Sequence, residues 1–155
     1  VNIAQKAQME LIVFIGIQAT GKSSFFFARF RDTHVRINRD MLRTRHRERA
    51  LFEACLEGKI DVVVDNTNPS RADRRTYIEP ARAAGFQVIG YFFQSSLAPA
   101  LERNAQRSGD ARIPDSGLRD AQRRLELPTR EEGFDELYFV RLRDGGDFHV
   151  EEWTE

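Results

Sequence analysis

The stretch Gly16-Ile17-Gln18-Ala19-Thr20-Gly21-Lys22-Ser23 constrains this chain more than any other. Its spacing fits G-x-x-x-x-G-K-[ST], and the apolar run Leu11-Ile12-Val13-Phe14-Ile15 ends directly before it. A buried strand, a tight turn of backbone N–H groups and a helix N-terminus together make a cradle for phosphates. In such a cradle Lys22 is expected to reach the β- and γ-phosphates of a nucleoside triphosphate. The Ser23 hydroxyl is expected to ligate Mg²⁺, and Ser24 to complete the phosphate contacts. Lysine occurs only at Lys6, Lys22 and Lys59, against 21 arginines, so Lys22 does not come from a lysine-rich background. ATP and Mg²⁺ are the cofactors this reading requires.

The 155 residues are enough for one substantial core, and a single domain over 1–155 is the expectation. Basic and acidic residues balance at 24 each, so no overall field draws in nucleic acid or an anionic membrane. The single cysteine, Cys55, excludes an internal disulfide. It falls among Leu51, Phe52, Ala54 and Leu56 in a helical pattern, which predicts a buried thiol. No apolar run has the length of a membrane span, and the first residues lack the build of a secretion signal, so a cytoplasmic location is expected.

Periodicity predicts strands over 10–15, 35–38, 60–65 and 86–93, with helices over 21–31, 41–58, 70–84 and 97–107. Gly58 and Gly85 read as helix stops. A mobile loop is expected over 108–114, a helix over 115–126, and an edge hairpin formed by 137–142 and 148–151 around Asp144-Gly145-Gly146-Asp147. Alternating strands and helices predict an α/β fold, a parallel sheet with helices on both faces. Ligands in such sheets sit at the carboxyl ends of the strands.

The residues that follow each strand carry the chemistry. After the third comes Asp65-Asn66-Thr67-Asn68, and an aspartate ending an apolar strand suits Mg²⁺; the plainer alternative is a turn residue. Motor-type ATPases commonly place a water-activating glutamate where this chain has Asn66, and the guanine-reading Asn-Lys-x-Asp is missing. The pattern favours transfer to a bound acceptor over hydrolysis. After the second strand comes Asn38-Arg39-Asp40, then Arg43. Asp40 is placed to take a proton from an acceptor hydroxyl; the plainer role is a helix N-cap, which does not exclude catalysis. Arg43, one helical turn on, could hold an acceptor phosphate in the same cleft. Arg45, Arg47 and Arg49 read as a solvated face. Arg103 and Arg107, ahead of Gly109, are candidates for a lid that neutralises charge on a transferred phosphoryl group, with Arg112 undecided. His34, His46 and His149 match no metal-ligand spacing.

With these pieces in place, the chain resembles the polynucleotide 5′-kinase branch of the P-loop kinases over roughly residues 11–142. The resemblance rests on the phosphate loop, Ile37-Asn38-Arg39-Asp40 with Arg43, and Val64-Asp65-Asn66-Thr67-Asn68-Pro69. It continues through Tyr77–Gly85, Arg103-Asn104, Ile113-Pro114, Pro128 and Glu132-Gly133-Phe134. It implies a P-loop NTPase fold with a lid after the fourth strand. It also implies Asp40 as general base, Arg43 on the phosphate next to the acceptor, and Arg107 on ATP from the lid. The implied reaction is phosphoryl transfer from ATP to a nucleic-acid 5′-hydroxyl. Gln18-Ala19 departs from the Pro-Gly usual in such loops, and neutral net charge suits a groove for one or two nucleotides better than a long track. Two alternatives stand beside this reading: a kinase of a small hydroxyl acceptor such as a nucleoside, sugar nucleotide or antibiotic, and a nucleotide-binding module with little turnover.

Overall fold

Alternation along the central strand sets the architecture. In β1 (Glu10–Ile15), Leu11, Val13 and Ile15 face one apolar cluster, while Ile12 and Phe14 face another. A strand rich in β-branched and aromatic residues and buried on both faces needs helices above and below it. The computed structural model describes residues 8–155 and supplies them. The expectation that the first residues do not form a secretion signal falls on residues outside those described.

The remaining elements follow in chain order: α1 (Lys22–Arg29), β2 (Val35–Ile37), α2 (Arg39–Leu42), α3 (Arg45–Glu57), β3 (Val62–Val64) and α4 (Arg71–Ala83). Then come β4 (Gln87–Phe93), α5 (Leu97–Ala105), α6 (Asp115–Arg124), β5 (Glu136–Leu142) and β6 (Phe148–Glu152). The sheet order is β2-β3-β1-β4-β5-β6, parallel throughout except for the antiparallel β5–β6 hairpin. One face packs on α3 and α4 through Phe52, Cys55, Leu56, Ile78 and Ala81; the other packs on α1 through Phe25 and Phe26. A third, smaller cluster of Ile17, Ala19, Ala100 and Leu118 joins the phosphate loop to α5 and α6. The α/β P-loop fold expected from the sequence is thus present, hairpin included.

Two local expectations change. The helix expected over 41–58 is two helices, because Arg43 adopts φ 77, ψ −36 and ends α2 after one turn. Thr44 then accepts a hydrogen bond from Arg47 N and starts α3 afresh. Asp40 is not the cap of α2 either: Asn38 is, its side chain accepting from Met41 N at 3.0 Å. The segment 108–114 holds one turn of 3-10 helix, and Asn104 clamps Ile113 through both backbone groups, at 2.7 and 3.0 Å. Among the described residues no helix is long and apolar enough to cross a membrane.

Candidate active site

The phosphate loop turns where β1 ends, and its glycines are there for space and for handedness. A Cβ on Gly16 would lie 3.1 Å from the Phe93 side chain and 3.2 Å from its carbonyl oxygen. Gly21 caps α1 at φ 94, a left-handed conformation that side chains resist. Ala19 takes φ 62 as well, so a left-handed position of the loop is filled here by an alanine. The methyl group of Ala19 is sealed against Ile17, Ala100 and Leu118, which gives it a packing role.

Lys22 lies across this loop. Its Nζ donates to Gly16 O at 2.9 Å and to Ile17 O at 2.6 Å, and the residue is 9% exposed. Burial pushes the ammonium down from 10.5 to about 8; Asp65 opposes that shift and Arg107 adds to it. A lysine held against its own loop by two carbonyls is one that an anionic phosphate would attract away. Arg103 ties α5 to the same loop, donating to Ala19 O at 2.9 Å. Arg107 is exposed, reaches Ala111 O at 3.3 Å and lines the cleft; Arg112 does not line it.

Asp65 stands at the end of β3, fully buried, 3.1 Å from the Ser23 hydroxyl that donates to it. Arg36 completes this corner: its Nε donates to the same carboxylate oxygen at 2.9 Å and its Nη2 to Ser23 Oγ at 2.9 Å. The loops after the first three strands are then stitched to one another. Gly16 N donates to Thr67 O at 3.0 Å, and Asn68 Nδ2 to Phe14 O at 2.8 Å. Asp65 N donates to Ile37 O at 2.8 Å, and Asn38 Nδ2 to Asp65 O at 2.7 Å.

Asp40 sits on the exposed side of α2 and lines the same cleft as Lys22, Ser23, Ser24 and Asp65, a space of about 740 Å³. Arg43 does not line it. Its one-turn spacing from Asp40 assumed a helix that ends at Leu42, and its side chain is exposed. Arg45 and Arg49, read from sequence as a solvated face, line the cleft instead, one turn apart on α3. Their approach is a consequence of the new helix start at Thr44.

Glu48 is the residue the sequence reading missed most clearly. It is 3% exposed, accepts from Arg39 Nε at 2.8 Å and from Asn66 Nδ2 at 2.8 Å, and lies 3.4 Å from the Tyr77 hydroxyl. Asn66 Oδ1 in turn accepts from Arg39 N at 2.9 Å, so Glu48 holds the start of α2 through two partners. One signal was available, since Glu48 lies one helical turn before Phe52 on the face that carries Cys55. That cysteine is buried as expected, which pushes its thiol up. His34 contacts Glu10 at 2.8 Å and His149 contacts Glu151, while His46 is exposed. Among the described residues no three His, Cys, Asp or Glu side chains form a metal cluster.

A strand-ending aspartate, a phosphate loop and a lysine folded over it, at the carboxyl ends of a parallel sheet, define a P-loop nucleotide-binding domain. Residues 11–128 match the AAA domain family, and the chain belongs to it. It is related to polynucleotide kinase domains: a bifunctional polynucleotide phosphatase/kinase of Schizosaccharomyces pombe (strain 972) is 30% identical over 154 residues. That match covers 94% of this chain and 38% of the relative, so the chain spans well under half of its length. Among solved structures, a gluconokinase from Sinorhizobium meliloti 1021 superposes with a TM-score of 0.60 at 23% identity, covering 87% of this chain and 83% of that one. A chain of the Pnkp1/Rnl/Hen1 RNA repair complex gives 0.62 at 20% identity, covering 81% and 46%. Both likenesses are likenesses of fold.

Proposed function

We propose that this chain transfers the γ-phosphoryl group of ATP to a hydroxyl acceptor, the 5′-hydroxyl of a nucleic acid or oligonucleotide. The observation that carries the reading is one cleft lined together by Lys22, Ser23 and Asp65 and by an exposed carboxylate, Asp40. Asp40 takes the proton of the acceptor hydroxyl, whose oxygen bonds to the γ-phosphorus as the bond to the β–γ bridging oxygen breaks and ADP leaves. Lys22 leaves its two carbonyl partners for the phosphates, and Arg107 approaches from the lid.

The hydroxyl of Ser23 and the carboxylate of Asp65 are the oxygen donors that Mg²⁺ favours, with the phosphates supplying further ligands. When bound there, the ion neutralises charge on the β- and γ-phosphates. Arg45 and Arg49 are placed to hold a phosphate on the acceptor, with Arg43 beyond the cleft wall. The relationship to the fission-yeast phosphatase/kinase supports a polynucleotide acceptor. Carboxylates also line the cleft, at Glu53, Asp73 and Asp120, and they suit the second reading, a small polyhydroxyl acceptor.

The test is transfer of labelled γ-phosphate to 5′-hydroxyl DNA and RNA oligomers and to a 3′-mononucleotide. Label on any of these by wild type supports the reading. Confirmed ATP binding without label on any of them would overturn the polynucleotide acceptor.

A further inference from the structure

β2 pairs Arg36 with Val63 and Ile37 with Val64, so the strand delivers Arg36 to the sheet face that α1 covers while Ile37 enters the opposite core. On that face the guanidinium meets three features at once. It bonds Asp65 Oδ2 and Ser23 Oγ, both at 2.9 Å, and lies over the rings of Phe26 and Phe27 at 5.6 and 5.2 Å from their centres. Its side chain is 18% exposed and that of Asp65 only 1%. A buried carboxylate requires a counter-charge, and the planar fork of arginine meets a carboxylate and a neighbouring hydroxyl together.

We propose that Arg36 is a tethered cation that competes with the divalent metal for Asp65 and Ser23. The inference rests on the reading that these two residues hold the metal. The metal takes the carboxylate only as Arg36 gives it up. The Phe26 and Phe27 rings then keep the displaced guanidinium beside the nucleotide by cation–π attraction. Without metal, Arg36 supplies positive charge next to the phosphates. The chain therefore binds nucleotide with a smaller dependence on metal than its loop alone would give.

The experiment is calorimetric titration of ADP in excess EDTA and in excess Mg²⁺, for wild type, Arg36→Gln and Asp65→Asn, with thermal unfolding confirming that each is folded. The quantity read is the gain in ADP affinity on adding Mg²⁺. Competition of this kind is a coupling between two ligands of one site, and removing it is expected to raise that gain about tenfold in Arg36→Gln. Asp65→Asn is expected to abolish the gain. If Arg36→Gln shifts both affinities equally and leaves the ratio at the wild-type value, while Asp65→Asn erases it, Arg36 is structural and the proposal falls. If Asp65→Asn keeps the wild-type ratio, the metal reading falls and takes the proposal with it. Arg36→Lys keeps the charge without the two-pronged fork. It serves where the glutamine variant does not fold, with a smaller rise expected and an unchanged ratio again overturning the idea.

Discussion

Glu48 accepts a 2.8 Å hydrogen bond from Arg39 across the break between α2 and α3. Glu48 is sealed and Arg39 half exposed, and the pair, itself part of the cleft lining, fixes the helix that carries Asp40. Glu48→Gln keeps the size and one acceptor oxygen but loses the charge that strengthens both bonds. A stability loss of about 1–3 kcal/mol is expected, together with a fall in kcat that exceeds any change in the KM for ATP. Denaturant unfolding and steady-state kinetics check it, and a variant with wild-type kcat would remove Glu48 from any positioning role.

Asp40→Asn is expected to slow transfer by about 10²–10⁴-fold, the range a general base contributes, and to leave ADP affinity nearly unchanged. The exposure of Asp40 and its distance from the phosphate loop in sequence make a folding defect an unsuitable explanation for such a loss. Single-turnover transfer beside an ADP titration separates the two effects.

Lys22 gives the nucleotide site a pH dependence. Its folded value of about 8 lies below the unfolded 10.5, so between those values the unfolded chain binds more protons. The stability of the free protein should therefore rise with pH across that window as the cost of burying the ammonium fades. Phosphates favour the charged form, so ADP binding near pH 9 should take up protons and weaken as pH rises above about 8. Calorimetry in two buffers of different ionisation enthalpy measures the uptake. Equal uptake by Lys22→Met would assign it elsewhere.

Arg74 is fully buried, and each of its three guanidinium nitrogens donates a hydrogen bond. It bonds Glu132 at 2.7 and 3.1 Å, Asn68 O at 2.9 Å and Pro69 O at 3.2 Å. Glu132→Ala strands that charge and should cost about 3–5 kcal/mol, a Tm drop of about 10 °C. Arg74→Met together with Glu132→Leu should recover part of the loss, because both charges then go.

The small cluster under α5 and α6 is separate from the two large ones, which places that part of the chain at the low end of local stability. Amides over 97–124 should exchange faster than those of β1, β3 and β4, and should slow on addition of ADP. Uniform protection across the chain would contradict a lid there.

Much of the fold was legible because buried parallel strands declare themselves: Val62-Val63-Val64 and 11–15 admit few other readings. The phosphate loop was legible because its spacing is a geometric requirement. What sequence hid was backbone strain and long-range pairing. Nothing in Met41-Leu42-Arg43-Thr44 announces φ 77 at an arginine, and that one dihedral moves Arg43 out of the cleft wall while bringing Arg45 and Arg49 in. Arg36 and Glu48 were hidden for a related reason. Charged residues on a short strand and in an arginine-rich helix look solvated until the partners that bury them, Asp65 and Asn66, arrive from elsewhere in the chain.

The stitching between Ile37, Asn38 and Asp65 has a thermodynamic meaning. Two reactants lose translational and rotational freedom when held at a fixed separation, and that loss is a large part of the barrier to a bimolecular step. Here two backbone-anchored bonds, at 2.8 and 2.7 Å, couple the strand end that bears Asp65 to the residue that caps the helix of Asp40. On the proposed reading, the relative placement of the nucleotide side and the acceptor side is therefore a product of folding. Each substrate then meets a frame whose ordering entropy was already spent before it arrived.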